Sequence, residues 1–297
     1  MRVGLIDVDG HNYPNLALMK ISAWHKAKGD TVEWCLPLDH YDIVYQSKVF
    51  DETYSPDIDW IPMADQVIKG GTGYGLDNKL PREIEHMYPD YSLYGITDTA
   101  YGFLTRGCPR GCKFCIVAEK EGKRSHKVAD LNEFWSGQKN IVLCDPNILA
   151  CKEHPDLLQQ LVDSKACVDF NQGLDIRLTN EGNIDLLNRI KVKNIHFAWD
   201  NANDDLRPYF ERYKATATHK PNGVYGTVYV LTNFGSTMEE NLYRIYTLRD
   251  LGYAPYVMVY DKPNAPREIK DLQRWCNNRI IYKSCERFED YKRGGVK

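Results

Sequence analysis

The stretch Thr105-Arg106-Gly107-Cys108-Pro109-Arg110-Gly111-Cys112-Lys113-Phe114-Cys115 carries three thiols at the spacing C-x3-C-x2-C. Thiolates are the usual ligands of iron–sulfur clusters. A loop this tight can wrap three corners of a [4Fe–4S] cube, and Gly107, Pro109 and Gly111 let its backbone fold around one. Three ligands leave one iron without a protein thiolate, open to a substrate or a cofactor. A structural zinc site is the alternative use of such thiols. It normally has a fourth ligand and paired C-x2-C spacing, and the nearest histidine, His126, lies eleven residues on.

The elements that must position this loop are readable from hydropathy. Val3 to Val8 reads as a buried strand. Leu16, Met19, Ala23 and Ala27 recur at helical spacing between Asn15 and Lys28, with Gly29 as the C-cap candidate. Thr31–Cys35, Ile43–Tyr45 and Gln66–Ile68 read as three further strands, the last ending at Gly70-Gly71. A small parallel α/β domain over residues 1–95 follows, closed by an irregular connection with a short helix near 81–87. From 96 to 297 the pattern is strand, then helix, repeated. Strands are expected at Tyr101–Leu104, Asn140–Cys144, Cys167–Phe170, Leu174–Leu178, Asn194–Trp199, Gly226–Leu231 and Tyr256–Tyr260. Helices are expected near 154–163, 181–190 and 238–251. About six βα units predict a partial barrel, since a complete one takes ~250 residues.

Composition sets the limits. The chain has 297 residues, 43% apolar and 27% charged, so disordered and fibrous classes are excluded. No apolar run reaches the ~18 residues of a membrane span, and the N-terminus turns acidic before any signal-like run. A cytoplasmic protein without a membrane partner is expected. The net charge of −3 argues against a strongly basic nucleic-acid-binding domain and leaves room for a local basic groove. Nine cysteines, an odd number, suit metal binding or reactivity better than a disulfide framework. Cys144, Cys151, Cys167, Cys276 and Cys285 are scattered, and buried cysteines commonly serve as small core residues.

Cys108-x3-Cys112-x-Phe114-Cys115, with an aromatic residue before the last cysteine, resembles the signature of the radical SAM superfamily. Its place after the first barrel strand, and the βα units that follow, resemble that superfamily's partial (β/α)6 barrel over about residues 100–290. The resemblance implies that Cys108, Cys112 and Cys115 hold a [4Fe–4S] cluster whose open iron chelates S-adenosylmethionine. One electron would then cleave the sulfonium bond, and the resulting 5′-deoxyadenosyl radical would abstract hydrogen from a substrate. A reductant such as flavodoxin or ferredoxin is implied as partner, and a small molecule or nucleotide as substrate. Such a site lies at the C-terminal ends of barrel strands. Phe114 would bring backbone groups to the adenine. Asp145 or Asn147 would accept from the ammonium group, in place of the Gly-Gly-Glu motif of many members. Arg177 would pair with the carboxylate, and Asp200 would bind the ribose hydroxyls. Each of these four also reads as a strand-end polar residue serving the local backbone. Asn233–Glu240 reads as a turn into a helix, with Ser236 or Thr237 as N-cap and Glu239 or Glu240 completing a capping box.

Residues 1–95 resemble the cobalamin-binding-type domain that precedes many radical SAM barrels. Asp9-Gly10-His11, Ser47-Lys48-Val49 and Gly70-Gly71 stand in that domain's order, which makes His11 a candidate cobalt ligand. Pro14 and Val49 depart from the pattern, and the alternative is a degenerate flavodoxin-like cap. Methylthiotransferases share a related plan, but they carry three cysteines in this domain, where the chain has only Cys35. They also usually end in a β-barrel RNA-binding domain, for which the chain stops too soon. The basic run Glu119–Lys127 reads as a solvated loop or as a guide for a phosphate-bearing substrate. The competing functions are a cobalamin-dependent radical methyltransferase and a non-catalytic iron–sulfur or zinc module.

Overall fold

The structure, a computed structural model, describes residues 1–10, 13–221 and 226–292. It is an α/β protein of two compact units, Met1–Ile141 and Val142–Lys297. Asp9-Gly10 is described, whereas His11 and the C-terminal residues 293–297 lie outside the described residues.

The first unit begins with β1 (Arg2–Asp7), α1 (Leu16–Ala27), β2 (Thr31–Trp34), β3 (His40–Ser47) and β4 (Met63–Gly70). These strands form one parallel sheet in the order β2-β1-β3-β4. The two faces of β1 feed different cores. Val3 and Leu5 pack with Leu18 and Ile21 of α1 and with Ile43, whereas Ile6 packs with Tyr41 and Val44. Helix α1 starts where Asn15 Oδ1 accepts from the Leu18 amide (3.2 Å), and it ends at Lys28, followed by Gly29 at φ +84°. That left-handed position is the helix terminator glycine favours. A short helix α2 (Arg82–Glu85) adds Ile84 to the same core. Then come β5 (Thr99–Gly102), β6 (Thr105–Arg106), α3 (Val117–Lys120) and β7 (His126–Lys127), with β6 and β7 paired antiparallel. The strand β8 (Asn140–Leu143) carries the division between the units.

The second unit continues from β8 with α4 (His154–Ser164), β9 (Cys167–Leu174), α5 (Glu181–Arg189), β10 (Val192–Ala198) and α6 (Arg207–Thr216). It closes with β11 (Thr227–Thr232), α7 (Met238–Asp250), β12 (Ala254–Val259), α8 (Arg267–Asn277) and α9 (Arg279–Ser284). Its strands lie side by side in chain order, β8-β9-β10-β11-β12, and the pairs from β9 to β12 are parallel. Period-2 alternation divides the sheet. Val168, Phe170, Ile195, Phe197, Val228, Val230 and Val257 are buried on one face. Asp169, Asn194, His196, Tyr229 and Tyr256 stand at the alternate positions.

One expected strand is corrected. Cys167–Phe170 and Leu174 belong to the single strand β9, and Ile176–Leu178 is a 3-10 turn. Asp175 accepts from the Arg177 amide (3.2 Å), which starts that turn, so the alternation Leu174-x-Ile176-x-Leu178 does not extend a strand. Gly173 at φ +91° lies beside a register irregularity between β9 and β10.

Candidate functional site

The cysteine loop belongs to the first unit and is tied at its base. The β6–β7 ladder pairs Arg106 with His126, and the Cys108 amide donates to Gly122 O (3.2 Å). Arg106 pairs with Glu121 (2.8 Å), whose other oxygen accepts from the Gly107 amide (3.1 Å). Gly107 sits at φ +82°, and a Cβ there would lie 2.2 Å from Arg124 O. The glycine is therefore demanded both by conformation and by close approach of the Arg124 backbone, just before β7. Gly111, at φ +58°, turns the chain in open space. Within this loop Cys108 and Cys112 are half-buried and Cys115 is exposed, and the Cys115 amide donates to Cys112 O (3.0 Å). Phe114 is half-buried between them in sequence. None of the nine cysteines forms a disulfide. Among the described residues no group of three or more His, Cys, Asp or Glu side chains is placed to hold a metal ion. A tetrahedral zinc site draws its ligands to one point. Three thiols on one loop are the donor type that iron–sulfur ligation uses, but the described side chains are not drawn into a metal-holding group.

The remaining candidates all lie in the second unit. Asp145 and Asn147 follow β8 and are buried. Arg177 is half-exposed and already engaged. Its Nε donates to Asp175 (2.8 Å), and a terminal nitrogen reaches Asp204 (3.2 Å). Asp200 ends β10. Burial pushes its carboxyl up to about 6, while the charges of Arg244 and Arg177 pull the other way. Arg177 and Asp200 thus share one electrostatic environment.

Two further features were not singled out from sequence. Arg244 of α7 is fully buried. Its guanidinium donates to Trp199 O (2.7 Å), Asp200 O (3.1 Å), Leu231 O (3.0 Å) and Asn241 Oδ1 (2.6 Å). It therefore clamps the C-terminal ends of β10 and β11, and burial lowers it to about 10. The available signal was its place on the Asn241–Arg244–Ile245–Leu248 stripe, an otherwise core-facing helical spacing. The second feature runs across the sheet face. Asp169 Oδ1 is buried without a hydrogen-bond partner and lies 3.8 Å from His196 Nε2. His196 Nδ1 is 3.3 Å from the Tyr229 hydroxyl, and the two rings stack at 5.4 Å. Burial lowers the His196 pKa, against the pull of Asp169. A carboxylate, a neutral imidazole and a phenol in line can hold and relay a proton. Single polar residues inside separate strands gave no sign that they would meet.

The expected capping box is present. Thr237 accepts from the Glu240 amide (3.2 Å), and Glu240 accepts from the Thr237 amide (2.8 Å). No protein-family model matches the chain, and no curated protein matches it.

Proposed function

We propose that this chain is a radical SAM enzyme: Cys108, Cys112 and Cys115 hold a [4Fe–4S] cluster, and residues at the strand ends of the second unit bind S-adenosylmethionine. The reading is carried by the cysteine loop, with its three thiols outside any disulfide and its backbone turned at Gly107 and Gly111. It is supported by the second unit's strands, which lie side by side in chain order as a barrel's would, and by the first unit's parallel sheet in the order β2-β1-β3-β4, an order compatible with flavodoxin-like winding. When bound, the cluster and S-adenosylmethionine supply one-electron cleavage of a sulfonium bond and a primary carbon radical that removes hydrogen from substrate.

The chain's own residues do the rest. Asp145 and Asn147 accept hydrogen bonds from the ammonium group. Arg177 offers its guanidinium to the carboxylate, with Asp204 as the partner that gives way because it is the more exposed of its two acids. Asp200 accepts from the ribose hydroxyls, and Arg244 fixes the backbone that carries it. Phe114 offers backbone groups to the adenine. A flavodoxin- or ferredoxin-type protein is the proposed reductant.

The test is iron and sulfide content after anaerobic reconstitution. About four of each per chain are expected, falling below one in Cys108→Ala, Cys112→Ala and Cys115→Ala. Wild-type chain that takes up a single zinc and no sulfide contradicts the reading.

A further inference from the structure

Within the first unit a cavity of about 830 Å³ opens at the C-terminal ends of β3 and β4, beside α1 and the base of the cysteine loop. This is the edge at which open parallel sheets take ligands, and the volume lies within the roughly 300–1,000 Å³ of ligand pockets. Its charge is one-sided. Lys20, Lys69, Lys79, Arg106, Lys120 and Lys127 line it, against Glu85 and Glu121. Both acids are committed. Glu85 pairs with Lys20 (3.1 Å) and Arg106 (3.5 Å), and Glu121 with Arg106 (2.8 Å). Lys69 and Lys127 lean on Asp57 (3.0 Å) and Asp130 (2.6 Å), which are not among the lining residues. Among the described residues Lys120 reaches only the Thr72 hydroxyl, and Lys79 forms no ion pair. Burial lowers the pKa of Lys20 and of Lys120, Arg106 acts in the same direction, and Glu85 and Glu121 oppose it. The same cavity also has apolar lining, built from Leu16, Ile68, Leu76, Leu80 and Ile84.

We propose that this cavity binds a phosphorylated small molecule of nucleotide size, its phosphates held by Lys79 and Lys120 and its body against the leucine-rich lining. Lysines act as mobile point charges suited to phosphate, and two ammonium groups without an ion pair in the lining of an 830 Å³ cavity call for a multiply charged anion. The apolar lining calls for a ligand that is more than phosphate. The inference does not rest on the radical reading, because the cavity's residues hold no cluster ligand.

The experiment is calorimetric titration of the full chain with adenosine diphosphate, adenosine and inorganic pyrophosphate. The diphosphate is expected to bind, adenosine at least about tenfold more weakly, and pyrophosphate between them. Binding of the diphosphate should weaken steeply between low and high salt. Lys79→Ala and Lys120→Ala should each cost about tenfold, the scale of one charged hydrogen bond. Lys283→Ala, outside the cavity, should match wild type. The Cys108→Ala/Cys112→Ala/Cys115→Ala chain should still bind, which separates this inference from the cluster. The proposal is overturned if neither phosphate compound binds, if adenosine binds as tightly as the diphosphate, or if both lysine variants bind like wild type. The salt titration of wild type decides the matter alone should a variant not fold.

Discussion

At the scale of single residues, three side chains carry sharp consequences. Arg244 makes three buried hydrogen bonds, so Arg244→Ala leaves the Trp199 and Leu231 carbonyls without this donor and Asn241 Oδ1 with only the Ser236 hydroxyl. A cost of about 3–5 kcal/mol is expected by urea unfolding, and Arg244→Lys should recover little, since an ammonium cannot reproduce the planar fork. Asp200 is the reverse case. Its carboxyl is raised from 3.8 to about 6, so the folded state favours the protonated form. That preference stabilises fully below the unfolded value and is lost as pH rises through about 6. Wild type should therefore lose roughly 3 kcal/mol relative to Asp200→Asn between pH 3 and pH 7. A difference that stays flat across that window contradicts the assignment. For His196, an NMR titration should show a midpoint below 6.5, and Asp169→Asn should lower it further, because the Asp169 charge is what holds it up.

At the scale of elements, much was legible, and the exceptions have local causes. Helix α1 was readable because its apolar spacing is bracketed by Asn15 and Gly29, both of which cap it. The start of α7 was readable because Thr237 and Glu240 form a reciprocal box. Removing that box with Thr237→Ala should cost about 1 kcal/mol by thermal or urea unfolding. The turn at Ile176–Leu178 is not legible from sequence, because alternation alone does not register a side-chain cap such as Asp175. Helix α6 was not anticipated, although Pro208 at its first turn is a helix-start signal. The carboxylate–imidazole–phenol line was not legible because Asp169, His196 and Tyr229 come from three strands and meet only through register. In the cysteine loop the glycines were legible as turn-formers, but the need for Gly107 comes from Arg124, in the segment that leads into β7. Gly107→Ala should strain the loop by about 1–3 kcal/mol before the steric conflict is added. It should also reduce iron uptake on reconstitution while leaving the circular dichroism spectrum of the sheets unchanged.

At the scale of the whole chain, two windings of parallel sheet coexist. The first unit reverses direction around β1, and the second runs in chain order. No helix of the described residues is long and apolar enough to cross a membrane. The net charge of −3 is unevenly spread, with five lysines and Arg106 collected around the cavity of the first unit. Composition could exclude a strongly basic domain, but it could not reveal that concentration, which arises from residues as far apart in sequence as Lys20 and Lys127. Cys108, Cys112 and Cys115 are proposed to make the chain a radical generator. The most direct measurement is 5′-deoxyadenosine released from S-adenosylmethionine by anaerobically reconstituted, dithionite-reduced protein. It is run beside the Cys108→Ala/Cys112→Ala/Cys115→Ala chain. Release by wild type and none by the variant is the predicted result. No release from a wild-type preparation with a full iron and sulfide complement would contradict it.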